Sequence, residues 1–220
     1  MPLLSPNLID SLAAAILLTA FIAMASNRML TLVRLYALQS IALGLLAAAV
    51  AYFTDAGHIY VVSVLTIGLK GAAIPWMLQY VMDRIKVDKE VEPMVSIPAS
   101  LLICGVLTIV AFYITEPIIS EGPVETITKN CLAISLAVVF IGLFTMISRK
   151  KAVTQIIGLL TMENGLFLAA YSLTSGMPLV VELGVFFDVL VAVLIMGLFA
   201  FRINRTFDTI DTTILRRLRD

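Results

Sequence analysis

Three ionisable side chains lie far inside long apolar stretches, and they are the clearest candidates for chemistry. Counted at 1.5 Å of rise per helical residue, Lys70, Glu163 and Asp188 lie about 15–18 Å from the nearest helix end, near mid-bilayer. Insertion of a charge at that depth costs about 2.5–3.5 kcal/mol. These side chains therefore face protein or water rather than lipid.

Chains of titratable side chains inside a membrane are typical of proton relays. Gln39 and Glu182 add two polar groups to such a path, although Glu182 lies nearer the outer surface and is the weaker candidate. The alternative is structural: Lys70 and Asp188 could form an ion pair that braces two helices, which requires good geometry but no transport function. We favour the relay, which can itself contain an ion pair.

The helix that carries Lys70 has features of an inward-facing site. Ser63, Thr66 and Lys70 follow helical spacing and form one polar stripe. Pro75 removes a backbone donor, so we expect the helix to kink or loosen beside the lysine.

The helix that carries Glu163 has its small residues on a different side. Gly158, Thr161, Gly165 and Ala169 form a stripe suited to close helix packing. We therefore expect Glu163 to point away from the tightest packing seam.

The composition is that of an integral membrane protein. Of 220 residues, 60% are apolar and 14% are charged, with a mean hydropathy of +1.04; soluble domains average about 25% charged residues. Fifteen basic and fifteen acidic residues give formal neutrality, which argues against a nucleic-acid partner. One His and two Cys, Cys104 and Cys131 at different depths, predict neither a metal centre in this chain nor a disulfide.

The apolar runs predict an all-α fold with seven transmembrane helices in the lipid bilayer. The predicted spans are Asn7–Ala25, Leu32–Phe53, Ile59–Met82, Ser96–Thr115, Asn130–Ile147, Ala152–Thr174 and Leu179–Phe201. Longer connections are predicted at Asp83–Pro93 and at Glu116–Lys129. We divide the chain into an N-terminal four-helix region (1–128), a three-helix region (129–203) and a basic amphipathic tail (204–220).

Basic residues predict the orientation. Thirteen of the fifteen lie on one side of the predicted membrane, with Lys129 alone on the other side and Lys70 inside a helix. The positive-inside rule places the N-terminus outside and the C-terminus in the cytoplasm. The tail then lies at the cytoplasmic surface, in the headgroup region, against a soluble partner, or solvated.

Two C-terminal motifs resemble a known membrane family. Met162-Glu163-Asn164-Gly165 and Val181-Glu182-Leu183-Gly184-Val185-Phe186-Phe187-Asp188 resemble hydrogenase-4 component E, which also carries a lysine followed by a proline in its third helix, as Lys70 and Pro75 do here. Through that family, the last three helices resemble the K subunit of respiratory complex I and the C subunit of multisubunit sodium/proton antiporters. Asp188 falls where the second K-subunit glutamate lies, whereas Leu160 occupies the position of the first.

The resemblance implies a non-redox membrane subunit of a complex-I-like oxidoreductase, a group 4 [NiFe]-hydrogenase or formate hydrogenlyase, in a prokaryotic inner membrane. Its implied partners are antiporter-like and complex-I-H-like membrane subunits and cytoplasmic hydrogenase and iron–sulfur subunits. The NiFe centre and iron–sulfur clusters would belong to those partners, and this chain would hold no cofactor or catalytic centre. Two alternatives stay open: a sodium/proton antiporter subunit, and a structural spacer without ion transfer.

Overall fold

The described part of the chain consists of membrane-length helices. The structure is a computed structural model that describes residues 6–54, 57–85, 94–121 and 129–173 together with Gly184. Its helices are α1 (Pro6–Ala25), α2 (Met29–Thr54), α3 (Gly57–Leu65), a π-helical segment (Thr66–Ala73), α4 (Ile74–Ile85), α5 (Ile97–Glu121), α6 (Lys129–Ser148) and α7 (Ala152–Leu173). Because α3, the π-helical segment and α4 form one continuous span, these residues contain six helices long and apolar enough to cross a membrane.

Six of the predicted spans match these helices, and the seventh, Leu179–Phe201, lies outside the described residues, as does the tail 204–220. Of the predicted connection Asp83–Pro93, the first three residues belong to α4 and the rest, 86–93, lies outside the described residues. One predicted boundary is wrong. The sequence predicts a loop from Glu116, but α5 continues to Glu121 with Pro117 inside it. Pro117 removes one backbone donor near the helix end, where water can bind the released carbonyl, so a single proline does not terminate the helix there.

The centre of the bundle is formed by α2, α6 and α7. In each of their spans 61% of residues are buried within the chain, against 17% in the span of α5, which lies at the periphery. The helix α2 packs against α1, α3, the π-helical segment, α4 and α7, and α6 packs against α1, α5 and α7. Side chains on α2 and α7 thus meet those of the third span inside the bundle.

The helices α6 and α7 approach closely at glycines. A Cβ on Gly142 would lie 2.6 Å from the backbone nitrogen of Met162 and 2.8 Å from the carbonyl oxygen of Gly158. A Cβ on Gly165 would lie 2.9 Å from the carbonyl oxygen of Ser135. Gly158 and Gly165 belong to the predicted small-residue stripe, so its predicted role in close packing is confirmed.

Buried polar residues separate two apolar clusters at mid-span. The first cluster contains buried side chains from residues 42–51 of α2, 59–62 of α3 and 167–171 of α7. The second contains buried side chains from residues 29–36 of α2, 74–82 of α4 and 153–160 of α7. On each span, buried polar side chains occupy the interval between the two clusters. We call this interval the polar layer; it consists of Gln39, Ser40, Ser63, Thr66, Lys70, Thr161, Glu163 and Asn164.

Candidate functional site

The polar layer contains a lysine–glutamate ion pair. Nζ of Lys70 lies 2.9 Å from Oε1 of Glu163, and the two side chains are 1% and 6% exposed. The second carboxylate oxygen, Oε2 of Glu163, is buried and has no hydrogen-bond partner among the described residues. A charge pair withdrawn this completely from solvent requires close geometry, because each ion gives up its hydration.

A distorted helix positions Lys70. In the π-helical segment the backbone N–H of Ile74 donates to the carbonyl of Leu69, five residues earlier. Pro75 follows immediately and has no N–H to donate to a carbonyl of the preceding turn. The wider turn beside the lysine confirms the predicted loosening of this helix, and π-helical turns occur frequently at functional sites.

Close contact with α2 holds this distorted segment in place. Oγ of Ser63 donates to the carbonyl of Gly44 over 2.7 Å. A Cβ on Gly44 or on Gly71 would press on an isoleucine side chain of the other helix, Ile67 or Ile41 respectively. Ser63, Thr66 and Lys70 are all buried, so the predicted inward-facing polar stripe is confirmed.

The glutamate comes from the side of α7 that faces the third span. The glycines of α7 pack on α6, whereas Glu163 reaches Lys70 on the π-helical segment. This division confirms the prediction that Glu163 points away from the tightest packing seam.

An aromatic ring covers the ion pair. The centroid of the Phe167 ring lies 4.1 Å from Nζ of Lys70, within the range of a cation–π interaction. Phe167 also packs directly against Gly184, at which a Cβ would collide with the ring. Glu163 and Phe167 are one helical turn apart on α7, so one helix face supplies both contacts to the ammonium.

A network of amides extends the polar layer towards α1. Nδ2 of Asn164 donates to Oε1 of Gln39 and lies 3.1 Å from Oγ of Ser40, and Nε2 of Gln39 donates to the carbonyl of Ile16. Oδ1 of Asn164 is buried and has no hydrogen-bond partner among the residues described. Asn164 follows Glu163 directly, so the ion pair and the amide network are joined through α7.

The structure brings together part of the predicted site. Lys70 and Glu163 pair directly, and Gln39 joins the same layer through Asn164. Asp188 and Glu182 lie outside the described residues, so their predicted membership and a Lys70–Asp188 pair stay predictions.

Sequence reasoning missed Asn164, Phe167 and Arg149. Asn164 stands within the recognised Glu163 motif, and Phe167 lies at i+4 from Glu163, so helical spacing was the available signal. From the sequence, Arg149 counts only among the basic residues on the predicted cytoplasmic side. In the structure its side chain is buried, and Nη2 donates to the carbonyls of Met24 and Ser26 at the end of α1. Burial lowers the pKa of this guanidinium below its ordinary value.

The polar layer has the groups needed to hold and move a proton. A carboxylate in contact with an ammonium can exchange its state between an ion pair and a neutral acid–amine pair, which keeps the net charge of the site unchanged. Tyr171 brings a further hydroxyl group beside the layer, next to Thr66.

Proteins of similar length and sequence are known. The uncharacterized protein Rv0085 of Mycobacterium tuberculosis is 35% identical over 214 residues, which cover 97% of this chain and 96% of the relative. Hydrogenase-4 component E of Escherichia coli K12 and that of Shigella flexneri are each 25% identical over 212 residues, which cover 96% of this chain and 97% of the relative. No protein-family model and no solved structure matches the chain significantly. The motifs around Glu163 and Asp188 and these full-length similarities agree, and the chain belongs with Rv0085 to a family of multi-pass membrane proteins similar to hydrogenase-4 component E.

Proposed function

We propose that this chain is a membrane subunit of a complex-I-like hydrogenase and that its polar layer forms part of a proton path. The buried Lys70–Glu163 pair is the observation that carries the proposal. Ionisable residues are expensive inside a membrane and mark proton relays, ion pathways or buried pairs. Here the pair adjoins an amide network, and Oε2 of Glu163 has no described partner, so the carboxylate has an acceptor site available for a proton.

The elementary step is a proton transfer within the pair. The Lys70 ammonium gives one proton to the Glu163 carboxylate, and a neutral amine and a carboxylic acid result. That proton lies on Oε1, so the carboxyl group rotates by half a turn, brings the protonated oxygen to the place of Oε2 and donates to the next group. A water molecule or another polar group on the lysine side of the layer then reprotonates Lys70. Net charge in the layer changes only as a proton enters or leaves it, which limits the electrostatic cost of transfer.

Asp188 is our candidate for the next group. Gly184 packs on Phe167 of α7. If the predicted seventh helix runs antiparallel to α7, Asp188, four residues beyond Gly184, comes to the height of Glu163, four residues before Phe167. In such a helix Asp188 would lie on the same face as Gly184. This register supports a path from Lys70 and Glu163 to Asp188.

The similarity to hydrogenase-4 component E supports assembly with hydrogenase subunits. In the proposed complex, redox chemistry occurs in cytoplasmic hydrogenase and iron–sulfur subunits, which hold the NiFe centre and the clusters. Antiporter-like and complex-I-H-like subunits adjoin this chain in a prokaryotic inner membrane. Protonation of the polar layer then responds electrostatically to electron transfer in those partners.

Replacement of Glu163 by glutamine in the assembled complex tests the proposal. A positioned acid–base group contributes about 10²–10⁴-fold to proton transfer, so E163Q should lower coupled proton transfer by at least about tenfold. Hydrogen oxidation with an artificial electron acceptor should persist, since the redox centres lie elsewhere. Proton uptake into vesicles and acceptor reduction measure the two activities.

Glu116→Gln is the matched control, because Glu116 is an exposed glutamate on α5. It should leave both activities unchanged. If E163Q transfers protons at the rate of the unaltered complex, Glu163 is not on the path.

A structural spacer is the second candidate function. The almost complete burial of the Lys70–Glu163 ion pair favours it. Lys70 contacts both the Glu163 carboxylate and the Phe167 ring and is almost fully buried. A brace between α7 and the third span would have this geometry. The spacer and the relay differ in one outcome: a brace tolerates replacement of both charges by well-packed apolar residues with activity intact, and a relay does not.

A further inference from the structure

The ammonium of Lys70 is held by an aromatic ring as well as by a carboxylate. Nζ lies 2.9 Å from Oε1 of Glu163 and 4.1 Å from the centroid of Phe167. The face of an aromatic ring carries negative charge density, and its attraction for a cation is greatest where water is excluded. Lys70 is fully buried, so the ring acts on this ammonium with little competition from solvent.

The surroundings of Phe167 leave its ring little freedom. Its side chain is buried, Gly184 packs directly against it, and the ring of Tyr171 lies 6.4 Å away, centroid to centroid, one helical turn further along α7. A side chain confined in this way keeps one rotamer. The ring therefore presents a fixed surface to the lysine.

We propose that Phe167 is a positioning residue for Lys70: its ring face binds the ammonium and keeps it on Glu163. This role rests on the proposed function, since it acts on the proton path through Lys70. Loss of the electrostatic attraction frees the flexible lysine chain to leave the carboxylate. Proton transfer within the pair then slows because the two groups meet less often.

Fluorinated phenylalanines test the electrostatic part of this role. Mono-, tri- and pentafluorophenylalanine introduced at position 167 of the full-length chain weaken the ring's negative face stepwise while its shape changes little. In the assembled complex we expect coupled proton transfer to fall stepwise, on the order of tenfold for the pentafluoro ring. F167L should lose as much activity as the pentafluoro variant, because leucine has no ring face.

Phe144 of α6 provides the matched control. It is a partly buried phenylalanine packed in an apolar cluster with Cys104 and Ile141. Fluorination there measures the effect of fluorine on packing alone and should leave proton transfer unchanged.

Thermal stability of the complex separates failure of this inference from failure of the proposed function. If the ring binds the ammonium, the melting temperature falls stepwise with fluorination at 167 and not at 144, whether or not the chain carries protons. A stepwise fall in stability with unchanged proton transfer shows the contact but overturns its positioning role, and E163Q then tests separately whether the chain carries protons. If all fluorinated rings at 167 behave like phenylalanine in both measurements, the ring has only a steric role and the inference is overturned.

Discussion

The two members of the Lys70–Glu163 pair depend on each other, because neither has solvent within reach. Removal of one partner of a buried ion pair leaves an uncompensated charge and costs about 3–5 kcal/mol, whereas replacement of both by apolar side chains is often neutral or stabilising. K70M and E163L should each destabilise the folded chain by about that amount. The double variant should recover most of the loss, measured by thermal unfolding and by assembly of the complex.

Activity of the double variant decides between relay and brace. A relay requires titratable groups, so the recovered double variant should assemble and still fail to transfer protons. Assembly with normal proton transfer would leave the pair only a structural role. If the single variants are as stable as the parent, the ion pair itself is not formed in the folded protein.

At the residue scale, the sequence predicts which charges turn inward but not which of them meet. The cost of a charge in lipid is sufficient to place Lys70 and Glu163 inside the bundle. Their pairing depends on the rotation of α7 about its axis, which is set by Gly142, Gly158 and Gly165 at the seam with α6. The same rotation of α7 brings Asn164 and Phe167 into the site. This rotation cannot be predicted from the residue types alone.

The seam between α6 and α7 is the element that fixes this rotation. A Cβ at Gly142 would meet the backbone of α7 at 2.6–2.8 Å, and a backbone cannot move aside as a side chain can. We expect G142A to push the two helices apart and to destabilise the chain by about 1–3 kcal/mol, the usual cost of overpacking. Thermal unfolding of the purified protein measures this change.

Gly105 of α5 is the control for the same substitution. A Cβ there meets no described atom within 4 Å, and alanine favours a helix over glycine by about 1 kcal/mol. G105A should therefore leave stability unchanged or raise it slightly. Equal effects of the two substitutions would mean that helix propensity, and not the close approach of α6 and α7, decides the result.

At the element scale, the sequence predicts that the helices exist, but not the π-helical form of the third span or the end of α5. The length of each apolar run predicts a span, and Pro75 between Lys70 and the end of its helix predicts a local loosening. The π-helical form of that loosening depends on the packing of the third span against α2, where Gly44 contacts Ser63 and Ile67. The sequence prediction ends α5 too early, at Thr115, because it takes Pro117 as a helix break. The carbonyl that loses its N–H donor to Pro117 lies near the helix end, where it can bind water, so the helix continues.

At the scale of the whole molecule, the polar layer lies between two apolar clusters on α2, the third span and α7. Within the described residues, the apolar clusters thus separate the polar layer from both ends of these spans. Arg149 ties the connection between α6 and α7 to the end of α1, through the carbonyls of Met24 and Ser26. Arg149 therefore joins α1 to the α6–α7 connection at one end of the bundle, and the polar layer lies at mid-span.

The sequence also predicts the orientation of the whole bundle in the membrane. The distribution of thirteen of the fifteen basic residues predicts that the N-terminus lies outside, and the seven predicted spans then predict a cytoplasmic C-terminus. A fluorescent reporter that folds only in the cytoplasm, fused after Asp220, should therefore be active. The same reporter fused after Ser175, beyond six spans, should be inactive, and a phosphatase that folds only outside should give the reverse pattern.

Labelling of single cysteines gives an independent measurement of the same topology. Both native cysteines, Cys104 and Cys131, are buried and free, so their background reaction with an impermeant thiol reagent is low. A cysteine introduced at Ser5 should react from outside the cell, and one introduced at Asp220 should react only after lysis. If the reporters after Ser175 and after Asp220 have the same activity, the segment 179–201 does not cross the membrane. In that case the proposed approach of Asp188 to Glu163 at mid-span is also wrong, because Asp188 would not lie inside the bilayer.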